Sequence, residues 1–193
     1  MTRRVSTCLA LGCAAALLVG CARQEQPVTP PPLAAARTST APDTTTMGAA
    51  PSGSCSAQAA ETLQRINAAR AAGRRCGART MAAANPLAWD PQLYNAAFGH
   101  STDMARRNYF EHQSPTGTTV AERASAARYK WRSLGENIAG GNPSVGDAVQ
   151  AWLDSPEHCE NLMDPKFADV AVACVVQPGT EFGTYWTMVL GRR

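Results

Sequence analysis

Apolar positions after residue 55 recur first at helical spacing and last at strand spacing. The helical pattern predicts a first helix over about Ser56–Ala72 and a second that starts at Pro91, with Asp90 as its N-cap. It predicts a weaker third helix over about Thr119–Arg128, a fourth that starts after its cap Ser144, and a short helical turn that starts at Ser155-Pro156. Dense β-branched and aromatic residues then predict strands over about Val170–Val176 and Tyr185–Leu190. Helices followed by a strand pair predict an α+β domain, a three-layer α/β/α sandwich with a small central antiparallel sheet.

The chain begins with an uncharged apolar run between two arginines and a cysteine. Arg3 and Arg4 precede residues 5–20, which are apolar or small and too few for a comfortable membrane span. The run ends in Leu18-Val19-Gly20-Cys21, which resembles the lipobox of bacterial lipoproteins. An ordinary secretory peptide or a signal anchor is the alternative. We expect a signal peptide over 1–20 and acylation of Cys21.

This interpretation places the protein in the cell envelope, with a lipid anchor in the membrane. Ala22 rather than an aspartate follows Cys21, which favours the outer membrane if the organism is diderm. Residues 21–54 are rich in Pro, Thr, Ser and Ala and hold few sizeable apolar side chains, so they predict a disordered linker. The remaining range, 55–193, is long enough for one domain with a core of its own.

Cysteine usage supports an oxidising compartment. Seven cysteines occur, and assigning Cys8 and Cys13 to the signal peptide and Cys21 to lipid leaves four: Cys55, Cys76, Cys159 and Cys174. An even set in an exported domain indicates disulfides, with three possible connectivities. We favour Cys55–Cys76 and Cys159–Cys174, because each closes a local loop. A four-cysteine zinc site is the alternative, but no Cys-x-x-Cys pair supports it.

Charge excludes one class of partner. The formal net charge of +3 falls to about +1 once Arg3 and Arg4 are removed with the signal peptide, and this balance leaves no field strong enough to indicate nucleic-acid binding.

Three histidines and one glutamate are the candidates for chemistry. His100 lies on the apolar face of the second helix, His112 precedes the turn sequence Ser114-Pro115, and His158 follows Ser155-Pro156, while Glu136 sits in Gly135-Glu136-Asn137-Ile138-Ala139. Imidazoles with a carboxylate suit a divalent ion such as zinc, and they equally suit a general acid and base. A core histidine with a satisfied hydrogen bond and a carboxylate that holds loop amides are the plainer alternatives.

A set of ordered motifs resembles a bacterial CAP-superfamily domain (SCP/TAPS; cysteine-rich secretory protein, antigen 5 and pathogenesis-related 1). The matching segments are His100-Ser101-x-Asp103-Met104-Ala105, Tyr109-Phe110-x-His112-x-Ser114-Pro115-x-Gly117, Gly135-Glu136-Asn137-Ile138-Ala139, Trp152-Leu153-x-Ser155-Pro156-x-His158 and Tyr185-Trp186-Thr187. The resemblance covers essentially all of 55–193 and implies the α/β/α sandwich with a central cleft.

The resemblance also implies roles for the histidines. His112 and Glu136 correspond to two members of the cleft set that binds divalent ions in some relatives, and His158 fills a cleft position seen in bacterial members. The second cleft histidine of the eukaryotic pattern is replaced here by Gly183-Thr184-Tyr185. His100 either substitutes for it or buttresses the cleft, and we favour buttressing.

Three functions follow as hypotheses. The first is a surface-tethered binding module whose cleft holds a divalent ion or a small envelope or lipid ligand. The second is a metal-assisted hydrolase of peptide or peptidoglycan, with Glu136 and His112 or His158 as base and acid; neither Ser101 nor Ser114 looks like an activated nucleophile. The third is a scaffold that contacts envelope proteins through exposed residues such as Trp131 and Arg132.

Overall fold

The computed structural model describes residues 59–193, which contain five helices and two small sheets. The helices are α1 (Ala59–Ala71), α2 (Pro91–Arg107), α3 (Val120–Ala126), α4 (Val145–Asp154) and α5 (Pro156–Met163). The strands are β1 (Arg74–Cys76), β2 (Arg79–Met81), β3 (Ala88–Trp89), β4 (Ser133–Gly140), β5 (Asp169–Val176) and β6 (Thr184–Arg192). The predicted signal peptide, Cys21, the linker and Cys55 lie outside the described residues.

The helix starts follow local capping chemistry. Asp90 accepts hydrogen bonds from the amides of Gln92 and Leu93 at 2.8 and 3.0 Å, and Pro91 occupies the first turn of α2, where its missing N–H leaves no bond unmade. Thr119 and Glu122 form a reciprocal capping box at α3, and Ser144 caps α4. The sequence predicted each of these starts.

The main sheet has the strand order β3-β5-β6-β4. The pairs β5–β6 and β6–β4 are antiparallel, and the two-residue β3 adds to β5 in parallel. One face packs Val170, Val172, Met188 and Leu190 against α1, α4 and α5. The other packs Ala171, Ala173 and Val189 against α2 and α3. This is the predicted three-layer α/β/α arrangement, with a short parallel strand added to the antiparallel sheet.

The disulfide pairing differs from the prediction. Cys76 is bonded to Cys159 across a sequence separation of 83 residues, with Cα atoms 5.4 Å apart. The favoured pairs Cys55–Cys76 and Cys159–Cys174 are therefore wrong, and Cys76 and Cys159 are not thiolate ligands of a zinc ion. The preference for local loops failed because tertiary packing places α5 on the β1–β2 hairpin: a Cβ on Gly77 would lie 2.9 Å from Pro156. Cys174 is itself disulfide-bonded.

Across residues 59–193, every helix is too short or too polar to cross a bilayer.

Candidate functional site

A cleft of about 510 Å³ opens between the loop after α2, the start of α3 and the middle of β4. Its walls are formed by His112, Gln113, Thr119, Val120, Leu134, Gly135, Glu136 and Asn161. Two of the predicted site residues, His112 and Glu136, therefore share one cavity although 24 positions separate them in the chain. The cavity mixes polar groups with the apolar side chains of Val120 and Leu134.

Glu136 is the buried centre of this site. Its side chain is 4% exposed, and both carboxylate oxygens have partners. Oε1 accepts a hydrogen bond from Nδ1 of His112 at 2.9 Å, and Oε2 accepts one from the guanidinium of Arg123 at 2.7 Å. A buried carboxylate needs such partners, because its charge has little access to water.

Arg123 is the site residue that sequence reasoning missed. Besides Glu136, it donates to the carbonyl oxygens of His112 at 3.0 Å and Thr118 at 2.9 Å, so it fixes both the carboxylate and the loop that carries the imidazole. The position of Arg123 in α3 was a signal that could have identified it as a site residue. Arg123 follows Val120 by three residues, which places an arginine on the packed side of a short helix.

His112 is half exposed at the mouth of the cleft, with 55% of its side chain accessible. The hydrogen bond to Glu136 raises the pKa of His112 above its ordinary value, and this outweighs the opposing effect of partial burial. Because Nδ1 faces a carboxylate, Nδ1 carries a proton and Nε2 is the nitrogen left for a ligand. Among the described residues, Nε2 has no hydrogen-bond partner.

His100 lies behind the carboxylate and is not part of the cleft wall. It is fully buried in α2, its Nε2 donates to the carbonyl of Glu111 at 3.0 Å, and the same nitrogen is 3.8 Å from Oε1 of Glu136. Burial lowers the pKa of His100, against the attraction of Glu136. A neutral imidazole that holds the carbonyl next to His112 acts as a buttress.

His158 lies on α5 and is half-buried. Its backbone carbonyl accepts from Nδ2 of Asn137 at 3.0 Å, whereas its imidazole forms no hydrogen bond with His112, Glu136 or Arg123. Burial lowers the pKa of His158, and the positive charge of His112 lowers it further. The two rings therefore interact electrostatically, but His158 does not line the cleft.

Contacts with Asn161 of α5 and with Phe167 explain why the sequence Gly135-Glu136-Asn137 occurs in β4. A Cβ on Gly135 would lie 2.7 Å from both Oδ1 of Asn161 and the ring of Phe167, so only glycine allows this approach. Asn161 then donates to the carbonyl of Glu136 at 3.1 Å and to the side chain of Asn137 at 3.0 Å. These contacts fix the strand from which the Glu136 carboxylate projects.

The domain matches the model of one known protein family. The model of the cysteine-rich secretory protein family, CAP, matches residues 63–190, which is more than half of the chain. The chain belongs to the CAP family.

Two curated relatives of this CAP domain come from Bacillus subtilis (strain 168). YkwD, named an uncharacterized protein, is 35% identical over 102 residues, which cover 53% of this chain and 38% of that protein. YlbC, named an uncharacterized membrane protein, is 34% identical over 86 residues, which cover 45% of this chain and 25% of that protein. The chain thus spans less than two fifths of the length of either relative.

Solved structures share the fold. An extracellular protein with an SCP domain from Bacillus anthracis str. Ames is 34% identical, with a TM-score of 0.51 over 57% of this chain and 35% of that one. An outer surface protein from Borrelia burgdorferi is 22% identical, with a TM-score of 0.51 over 57% of this chain and 80% of that one, and it supports the fold alone.

The donor set of this CAP domain fits a divalent ion poorly in the arrangement described. A guanidinium occupies one oxygen of Glu136 and an imidazole N–H the other. The described part of the chain contains no group of three His, Cys, Asp or Glu side chains placed to hold a metal. Structural and catalytic zinc sites use at least three protein ligands. Metal binding by His112, Glu136 and His158, with or without His100, stays a prediction.

The two serines near the histidines have structural partners in this CAP domain. Ser101 donates to Oγ1 of Thr187 at 2.8 Å within the core. The hydroxyl of Ser114 accepts from the amide of Thr118 at 2.9 Å and closes the turn after His112. Neither hydroxyl hydrogen-bonds to a histidine, which is the arrangement a serine nucleophile needs.

Proposed function

We propose that the protein is an extracytoplasmic, lipid-tethered binding module of the cell envelope. Its CAP cleft accepts a small polar ligand with an anionic group, of the kind that a peptidoglycan fragment carries. The lipobox-like Leu18-Val19-Gly20-Cys21 supports the tether. A solved structure that is 34% identical and named an extracellular protein supports the compartment.

One observation carries the choice of ligand: Glu136 has both oxygens satisfied, whereas Nε2 of His112, at the cleft mouth, has no partner within residues 59–193. Arg123 compensates the charge of the carboxylate. Because the pKa of His112 is raised, protonation of its ring then gives the site a net positive charge and an N–H donor at Nε2. A site of this kind prefers an anionic acceptor to a cation.

The shape of the cleft adds a second requirement. Val120 and Leu134 line the cavity beside the polar groups, and a volume of about 510 Å³ suits a ligand of the size of one sugar with a short substituent. N-Acetylmuramic acid combines an acetamido methyl group, which the apolar wall suits, with a lactyl carboxylate, which the imidazolium suits.

Calorimetry with two matched sugars tests the proposal. The full chain carrying Cys21→Ser, which lacks the thiol of the lipobox-like segment, is titrated with N-acetylmuramic acid and with N-acetylglucosamine, which has no lactyl carboxylate. We expect binding of the first and at least about ten-fold weaker binding of the second, because a charge-assisted hydrogen bond is lost. His112→Gln should remove this preference, whereas the matched control Glu157→Gln on exposed α5 surface should keep it.

Three results would overturn the proposal. The folded chain could bind neither sugar, or it could bind both equally. The third is micromolar zinc binding that disappears in His112→Ala and Glu136→Ala, which would show a metal site and favour the metal-assisted hydrolase. Release of fragments from purified peptidoglycan, lost in Glu136→Ala, would establish that hydrolase directly.

A further inference from the structure

The segment between α3 and β4 carries exposed cations around an exposed indole. Arg128, Lys130, Trp131 and Arg132 are all on the surface. Trp131 is 42% exposed and is the one large apolar side chain so exposed within residues 59–193. Arg192, also exposed, lies beside them, since its carbonyl accepts from the amide of Arg132 at 2.7 Å. We name these five residues the basic-aromatic patch.

The patch is held in place by its neighbours. Tyr129 turns inward, is buried, and donates from its hydroxyl to Asp169 at 2.6 Å. Arg128 takes a left-handed conformation with φ of 65°, which ends the helical turn after α3. The indole Nε1 of Trp131 donates to the hydroxyl of Ser125 at 3.0 Å. The exposed ring is therefore oriented by a polar contact while much of its apolar surface stays accessible.

The cations of the patch have no internal counter-charge. Among the described residues, no ion pair is formed by Arg128, Lys130, Arg132 or Arg192, and the nearby Asp169 is engaged by Tyr129 and Arg193. Other cations of the domain do face carboxylates: Arg65, Arg79, Arg107, Arg123, Lys166 and Arg193. Within residues 59–193, four unpaired cations next to one indole therefore leave a positive surface without a counter-charge.

We propose that the basic-aromatic patch docks the domain on an anionic lipid surface. Cations near such a surface gain about 1 kcal/mol each from its negative potential. Indole side chains favour the headgroup region, where the ring is partly buried and the N–H stays hydrogen-bonded. A single-stranded nucleic acid is a poorer fit, because its bases need a series of aromatic platforms and the patch offers one.

Docking would also place the cleft relative to the membrane. Arg132 directly precedes β4, whose second and fourth residues, Leu134 and Glu136, line the cleft. A domain held at residues 128–132 therefore keeps the beginning of its cleft strand at the lipid surface, independently of any acyl group on Cys21.

Vesicle co-sedimentation tests this proposal. The full chain carrying Cys21→Ser is mixed with vesicles of phosphatidylcholine alone and of phosphatidylcholine with about 30% phosphatidylglycerol, whose anionic headgroups give the surface a negative potential. The N-terminal segment, including Arg3 and Arg4, is the same in all variants, so a change in the charge-dependent difference between variants reports on the patch. We expect Lys130→Glu/Arg132→Glu to reduce that difference at least about ten-fold, and Trp131→Ala to reduce it with the net charge unchanged.

The matched control is Arg75→Glu/Arg106→Glu, which makes the same change in net charge at exposed cations elsewhere. Retained charge-dependent binding in this control supports the patch. An equal loss in the control would overturn the proposal, because binding would then follow net charge alone. The proposal would also be overturned if phosphatidylglycerol had no effect on binding. A third contrary result would be that a soluble polyanion such as polyglutamate binds the protein as strongly as the vesicles do, and binds Trp131→Ala equally well.

Discussion

Arg123 donates to Oε2 of Glu136 over 2.7 Å, and both side chains are nearly enclosed, at 9% and 4% exposure. The guanidinium also reaches the carbonyls of His112 and Thr118. One side chain thus compensates the buried charge and holds the loop that presents the imidazole. This pair therefore sets both the charge and the geometry of the cleft.

Arg123→Met should destabilise the domain by about 3 kcal/mol, because it leaves a buried carboxylate without its cation. Removing the charge as well, in Arg123→Met/Glu136→Leu, should recover part of that loss. Urea unfolding followed by circular dichroism measures both. Equal losses in the single and double variants would show that Arg123 acts only through the loop carbonyls.

His112 should titrate above its ordinary pKa of 6.5, because its hydrogen bond to Glu136 favours the protonated ring. In Glu136→Gln the pKa of His112 should fall, since partial burial and the charge of Arg123 both disfavour protonation. Proton NMR of the imidazole signals over pH 5–9, a range of about two units on either side of neutrality, measures this. His158, with a pKa below 6.5, is distinguished from His112 by its lower titration midpoint. A His112 pKa unchanged in Glu136→Gln would contradict the assignment.

His100 should make the domain less stable in acid. Burial lowers the pKa of His100 in the folded state, so below its unfolded value of 6.5 the unfolded chain binds more protons. The contribution of His100 to the free energy of unfolding is complete above pH 6.5. It declines as the pH falls from 6.5 through the lowered pKa of the folded state. The raised pKa of His112 acts in the opposite sense, with stability that is complete below pH 6.5 and is lost as the pH rises through the folded value.

The variant His100→Gln keeps a donor for Glu111 but does not titrate. Its free energy of unfolding should fall less than that of the wild type between about pH 7 and pH 5, the interval in which a histidine changes charge. Urea midpoints at the two pH values give the comparison, and the half-buried His158→Gln is the control for a less enclosed ring. An identical acid response in wild type and His100→Gln would contradict the prediction.

Cys76→Ala/Cys159→Ala should cost about 4.5 kcal/mol of stability, the chain-entropy value for closing a loop of this length. The bond joins residues 83 positions apart, so its loss frees most of the domain in the unfolded state. Non-reducing peptide mapping should recover one linked peptide pair that contains Cys76 and Cys159. A peptide pair linking Cys76 to Cys55 would restore the original local pairing.

The sequence predicted features whose causes are local. Asp90, Thr119 and Ser144 cap their helices through amides two or three residues away, so the signal and the structure lie in the same short window. The dense β-branched and aromatic residues of β5 and β6 were an equally local signal, and the resemblance to the family motifs indicated His112 and Glu136 as site residues.

The sequence did not predict features whose causes are distant. Strand β4 contains a glutamate, an asparagine and two glycines, which ordinarily disfavour a strand. These residues are satisfied by Arg123, Asn161 and the carbonyl of His158, partners that only the tertiary fold brings together. The same limitation explains why Arg123 was missed and why the disulfides were paired incorrectly.

The outer edge of β4 has a further consequence. On the side away from β6, the carbonyl of Glu136 is occupied by the amide of Asn161 and that of Ile138 by the indole of Trp152. A strand from a second molecule needs those carbonyls to add itself to the sheet. Asn161 of the cleft wall and Trp152 of the core therefore also protect neighbouring copies of the protein from edge-to-edge aggregation.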